Sequence, residues 1–241
     1  MPTSKTISAQ PLYQQVRDLL IERISRGVWK PEASLPNEHD LAREFGISPG
    51  TLRKALHSLE RDGLVMRQRG RGTFVIDQSS GGPSIRFSNI RDGAGMRTLG
   101  DMELIAQSIG NANETEQERL RVDGDEPVLR TTRIRHFRGR PFMYEEATIP
   151  LSRMPGFDGI GAGAYRISAL AQKHGVYLAC ATEQLSVANA VPQAAQRLMV
   201  APGTPILKLE RVIVAMDRHP IEWRIGLCHL GEDQVYLAEM M

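Results

Sequence analysis

Residues 35 to 75, LPNEHDLAREFGISPGTLRKALHSLERDGLVMRQRGRGTFV, hold in unbroken order two apolar-periodic segments separated by a tight turn, then an arginine-glycine tip between two apolar runs. After Pro36, residues Leu41, Ala42 and Phe45 recur at helical spacing, and Gly46 with Ile47 turns the chain. Ser48 stands where an N-cap belongs and Pro49 at the first helical position, so a second helix is predicted from Pro49. Leu52, Ala55, Leu56 and Leu59 form its apolar stripe, which leaves Gly50, Thr51, Arg53, Lys54 and His57 on the outer face. Asp62-Gly63 ends that helix, and the runs 64–68 and 73–76 read as strands around Arg69-Gly70-Arg71-Gly72. A helix with such an outer face fits a DNA major groove. The tip makes a wing: glycines let the backbone approach closely, and arginines offer planar donors to phosphate or the minor groove. The same arrangement can serve as a protein-docking module, but capping residues, contact residues and glycines all fall in register for reading DNA.

Charge distribution agrees with that reading. The formal net charge of the 241-residue chain is only +2. Residues 48–72, however, hold six arginines or lysines against Glu60 and Asp62, which concentrates the positive field on the second helix and the wing. The chain is 41% hydrophobic, has no apolar run of membrane length and no secretory pattern at its N-terminus, so a soluble cytoplasmic protein is expected. Cys180 and Cys228 are too few for a disulfide framework or a cysteine-based zinc cluster, and read as two thiols on separate buried strands. The histidines at 136, 174, 219 and 229 are scattered rather than spaced as metal ligands. No serine or cysteine sits in a nucleophile motif, and Gly161-Ala162-Gly163 lacks the rest of a dinucleotide fingerprint. No metal, no cofactor and no enzymatic activity are expected.

Upstream, Leu12, Val16, Leu19, Leu20 and Ile24 repeat helically until Gly27, so residues 10–76 form one winged helix-turn-helix domain. The polar, glycine-rich stretch 77–84 has little to bury and reads as a flexible linker. Residues 85–241 form a second domain. Its β-rich runs are 103–109, 128–137, 141–149, 176–190, 205–216 and 221–230, with helical patterns at 114–120, 165–174 and 192–199. That order predicts an α+β domain with a mainly antiparallel sheet. A weak internal echo relates the segment from Arg130 through Pro141 to Glu145 with the segment from Glu210 through Pro220 to Glu222.

Together, Leu35-Pro36-Asn37-Glu38, Leu41-Ala42, Phe45-Gly46-Ile47-Ser48, Thr51 to Leu56, Gly63-Leu64 and Gly70 to Val75 resemble the GntR family of bacterial winged-helix regulators. Gly124 to Leu129, then Arg133, Arg140-Pro141-Phe142 with Glu145-Glu146, and Ala201 to Leu207 before Arg211 are similar to UTRA, the ligand-sensing domain of the HutC subfamily, which has a chorismate-lyase-like fold. The resemblance implies a homodimeric regulator, a repressor or activator, that binds palindromic double-stranded operator DNA under control of a small metabolite. A constitutive DNA-binding dimer is the alternative, and a lyase-like enzyme finds no support in the residues. By the resemblance, His39, Ser48, Gly50, Thr51, Arg53, Lys54, Arg69, Gly70, Arg71 and Gly72 are the DNA-contacting set. Many relatives carry arginine where this chain has His39 and Pro49.

Alternation places Arg133, Arg135 and Phe137 on one strand face, with Ile134 and His136 on the other. Met143, Glu145 and Ala147 share a face of the paired strand, and Glu222, Arg224, Gly226 and Cys228 share one on the last hairpin. Guanidiniums flanked by glutamates suit a ligand with an anionic end. The resemblance adds Gly163 and Tyr165, which makes the effector-binding set Arg133, Arg135, Glu145, Gly163, Tyr165, Glu222 and Arg224. Relatives that bind sugar phosphates carry serine at Gly163 and tyrosine at Cys228. Both positions differ here, which weighs against a sugar phosphate and leaves phosphonates, organic acids and other small anions open; the expected effector is a small anion, a phosphorylated sugar, a phosphonate or an organic acid. Arg133 and Glu145 can equally be a plain cross-strand ion pair.

Overall fold

The computed structural model describes residues 10–159 and 166–238 and divides the chain into two units, with the boundary between Asp77 and Gln78. In the first unit, α1 (Leu12–Ser25) packs on α3 (Pro49–Arg61), with α2 (Glu38–Glu44) between them in sequence. Helix α1 buries Val16, Leu20, Ile21 and Ile24, whereas Leu12 and Leu19 are 52% and 46% exposed. The expected stripe is corrected here. At roughly 100° per residue, Leu12 and Leu19 lie on the flanks of the face that Val16, Leu20 and Ile24 turn inward, and Ile21 closes it on the other side. Helix α3 buries Leu52, Ala55, Leu56 and Leu59, the four residues its periodicity marks. The wing is an antiparallel hairpin of β1 (Val65–Gln68) and β2 (Gly72–Val75).

In the second unit a six-stranded antiparallel sheet runs in the order β4 (Asp101–Asn111), β5 (Pro127–Phe137), β6 (Arg140–Pro150), β9 (Pro220–Cys228), β8 (Pro205–Ala215), β7 (Leu178–Asn189). Helix α5 (Glu114–Leu120) follows β4 and packs on β9; α7 (Pro192–Leu198) follows β7 and packs on β6. The unit is thus a β-α-β-β motif used twice, with the last strands of the two copies paired at the centre. The internal echo in the sequence is this repeat. Pairing of Arg133 with Glu145 in the first copy corresponds to pairing of Arg211 with Arg224 in the second. The β5–β6 turn is tight because Arg138 and Gly139 both take positive φ, 49° and 77°.

The two helices of the repeat cover one face of the sheet, where Ile134, Tyr144, Ala194 and Leu198 form a core cluster. Over the other face lie α6 (Ile167–Lys173) and a two-stranded sheet of β3 (Ile90–Asp92) with β10 (Gln234–Tyr236). Leu129, Ile149, Leu170 and Ile213 belong to one cluster on this side, and Ile90, Phe142, Met143, Leu209 and Cys228 to another. Strands of three residues leave no periodicity in a sequence, so β3 and β10 were not foreseen. Helix α6 begins at Ile167, two residues later than its pattern suggests.

The stretch 77–84 is not the free linker its composition implies. Gln78 is 1% exposed; its side chain accepts from Leu178 N at 2.8 Å and donates to Leu178 O at 3.1 Å, while its own N–H donates to Gln172 Oε1 at 2.7 Å. Gly81–Ser84 form the short helix α4. A side-chain amide matches a backbone peptide group atom for atom, so polarity here marks a docking residue rather than solvent. A second correction concerns the thiols: Cys228 is buried, but Cys180 is exposed.

Candidate functional site

In the head, Ser48 caps α3 by accepting from Thr51 N at 3.2 Å, and its hydroxyl meets Thr51 Oγ1 at 2.9 Å. Both expected contact residues are therefore also structural. Gly50 has ordinary φ, and a Cβ there would meet only Ser48 Oγ at 3.8 Å, so nothing within the protein demands glycine. What it leaves open is close approach from outside to the first turn of α3, where the Gly50 N–H precedes the helical hydrogen-bond ladder. Arg53 is exposed, with Nε 3.1 Å from Glu38 Oε2; the same carboxylate lies 3.4 Å from Arg67, which donates to Arg53 O at 3.2 Å. Lys54 places its ammonium 4.3 Å from the centre of the Tyr13 ring. His39, Arg69, Gly70, Arg71 and Gly72 are exposed, and Gly70 and Gly72 take φ of 74° and 112° at the wing tip. Second-helix and wing residues thus form one cationic surface on this unit. The expected set omitted Arg67 and Glu38, whose pairing depends on the folded hairpin.

In the second unit, sheet register brings Arg133, Arg135, Glu145, Glu222 and Arg224 onto one face, although they come from β5, β6 and β9. Glu145 is fully buried and receives Arg135 in bidentate fashion, Nε to Oε2 at 2.9 Å and Nη2 to Oε1 at 3.0 Å. Arg133 Nε lies 2.9 Å from Glu145 Oε1 as an ion pair without hydrogen-bond alignment, and Arg224 Nη1 donates to Glu145 Oε2 at 3.4 Å. Glu222, also fully buried, takes two bonds from Arg224 Nη2, at 2.7 and 2.8 Å, and a longer one from Arg133. Burial pushes the Glu145 carboxyl up, but the guanidiniums of Arg135, Arg224 and Arg133 outweigh it and hold the group far below the usual carboxylate range. Burial lowers Arg133, whereas for Arg224 the carboxylates of Glu145 and Glu222 overcome burial and raise it. All remain ionised. Burial also pushes the Cys228 thiol up, so it stays protonated.

Sequence reasoning missed Arg211 and Glu183, which the structure adds to this face. Arg211 Nε donates to Glu183 Oε2 at 2.7 Å, and Glu183 also accepts from the Tyr236 hydroxyl at 2.7 Å and Asn89 at 3.1 Å. The signal was present: Arg211 is the repeat equivalent of Arg133. Two small cavities, each about 20 Å³, open between this face and the covering segment around residues 85–99; Arg135, Arg211 and Arg224 line both. An open groove of about 440 Å³ adjoins them along Ile85, Leu99 and Arg166. Gly163 and Tyr165 lie outside the described residues. Among the described residues no histidine, cysteine, aspartate and glutamate cluster is placed to hold a metal, and no helix is long and apolar enough to cross a membrane.

Residues 12–75 match the bacterial regulatory proteins of the gntR family, and residues 100–231 match the UTRA domain. The chain is 27% identical over 226 residues to the HTH-type transcriptional regulator YurK of Bacillus subtilis, covering 92% of this chain and 93% of that protein. Over 224 residues it is 25% identical to a probable fructoselysine utilization operon transcriptional repressor of Escherichia coli, covering 92% and 91%. The crystal structure of PhnF from Mycobacterium smegmatis superposes with a TM-score of 0.55 at 27% identity, over 94% of this chain and 99% of that one. A DNA-reading head on one unit and a buried arginine-glutamate cluster on the other are thus the two parts of a transcription regulator rather than an enzyme, and the chain belongs to the GntR family, with a UTRA domain behind its winged helix.

Proposed function

We propose that this regulator is a cytoplasmic repressor that binds a palindromic operator as a homodimer and responds to a small anionic metabolite held by the arginine cluster. One observation carries the effector reading. Among the described residues, Arg133, Arg135, Arg211 and Arg224 meet three carboxylates, Glu145, Glu183 and Glu222, and Arg224 Nε is buried without a hydrogen-bond acceptor. A buried excess of one positive charge is costly unless an anion compensates it. Gly163 and Tyr165 join this site on the family resemblance. The relative named as an operon repressor supports repression rather than activation. Head contacts by Arg53 and Lys54 to the major groove and by Arg69 and Arg71 to phosphate or minor groove follow from the cationic surface described above. Half-sites lie roughly one turn apart, about 34 Å centre to centre.

The test is an operator recovered by selection from random duplexes, followed by titration of the complex with phosphorylated sugars, phosphonates and carboxylates. An anion that changes operator affinity about 5- to 150-fold, the usual range of such coupling, in wild type but not in Arg211→Gln supports the reading. The small volume of the cavities favours one other reading, a constitutive DNA-binding dimer. Operator affinity that no anion shifts would select it.

A further inference from the structure

We propose that the effector is a compact monocarboxylate with an apolar body, seated over Gly226 with its carboxylate toward Arg211 and Arg224; this rests on reading the arginine cluster as the sensing site. Among the described residues, four buried guanidiniums against three carboxylates leave one charge to neutralise, which a carboxylate does. A phosphate ester brings about 1.5 to 2 charges at neutral pH. Neutral polar side chains at the cavity are largely engaged. Ser88 donates to Thr98 O at 2.6 Å and accepts from Ile90 N; Thr98 Oγ1 accepts from Gly100 N at 3.1 Å. The Glu183 carboxylate is occupied by Arg211, Asn89 and Tyr236. A polyol would bury several hydroxyls with few partners left to meet them, which costs more than leaving them in water.

What remains of the wall is apolar: Ile90, Leu99, Phe142, Met143 and Leu209. Its floor is Gly226, which sits mid-strand between Glu145 and Leu209 without a positive φ. Glycine inside a strand weakens it and commonly marks a place where a ligand approaches the backbone. A Cβ on Gly226 would come within 3.2 Å of Met143 Sδ. The cavity holds about one water as it stands, so the ligand body enters by displacing Met143, an unbranched and adaptable side chain, rather than by filling empty space.

Thermal shift on the full-length protein tests this with hexanoate, benzoate and 3-phenylpropanoate set against gluconate and glucose 6-phosphate. The expected result is a rise of several degrees with at least one apolar carboxylate, binding at least tenfold tighter than gluconate, and loss of that response in Gly226→Val. Should Gly226→Val fold poorly, Gly226→Ala gives the same comparison with a smaller intrusion. Gluconate or glucose 6-phosphate stabilising as well as the apolar acids, or a response untouched by filling Gly226, overturns the ligand class. If Arg211→Gln abolishes the response to a polyol anion, the site stands and only the ligand class fails. A response to every anion that survives Arg211→Gln, or no response to any, overturns the site and the ligand class together.

Discussion

Arg53 and Glu145 illustrate opposite uses of charge. Arg53 is exposed and held only by a surface pair with Glu38, which contributes little to stability, so its guanidinium is available to a base edge or phosphate. Arg53→Ala is expected to weaken operator binding by about 1 to 3 kcal/mol with an unchanged melting temperature; equal affinity in a polarisation titration would remove Arg53 from the interface. Arg69→Ala at the wing tip is expected to lower the slope of log affinity against log salt by about 0.9, the value for one phosphate contact. Glu145 is buried and holds three guanidiniums, so Glu145→Gln leaves them short of a counter-charge and is expected to destabilise the protein by about 3 to 5 kcal/mol. Because its folded pKa lies far below the unfolded value of 4.5, its contribution is complete above about pH 4.5 and is lost as pH falls below it. Denaturant titrations between pH 7 and 3 should therefore show a steeper acid loss for wild type than for Glu145→Gln.

At the level of elements, the head and the sensing sheet differ in how local their information is. Helix α3 carries its cap, its proline and its apolar stripe within 13 residues, and each took the place its position predicts. Strands β5, β6, β8 and β9 were equally legible from their alternation and turn residues, because period-two patterning and tight turns are local properties. The covering elements were not. Sheet β3–β10 joins residues more than a hundred positions apart, and Gln78 docks on Leu178 across a similar span. Gln78→Ala leaves the Leu178 N–H without its side-chain acceptor, while the Leu178 C=O keeps its bond from Arg86; a cost of about 1 to 3 kcal/mol is expected, local to the start of β7. Hydrogen exchange at the Leu178 amide should accelerate accordingly, and an unchanged rate would show that this contact contributes nothing to anchoring the segment.

For the whole molecule, two chains are expected on one palindromic operator, with one scrambled half-site removing about half of the sequence-specific part of the binding free energy. Sedimentation of the complex at one chain per operator would rule out the dimer. Sequence alone determined the winged helix-turn-helix, the α+β sensing domain and the identity of five of the clustered charged residues, since helical and strand periods, caps and turn residues act over a few positions. Tertiary structure decided that Glu183 joins Arg211 in completing that cluster, that among the described residues it carries one more guanidinium than carboxylates, and that Gly226 lies beneath its cavity. The reason is register: which residues face each other across β5, β6, β9, β8 and β7 depends on sheet order and on bulges between distant strands, and no local pattern contains either.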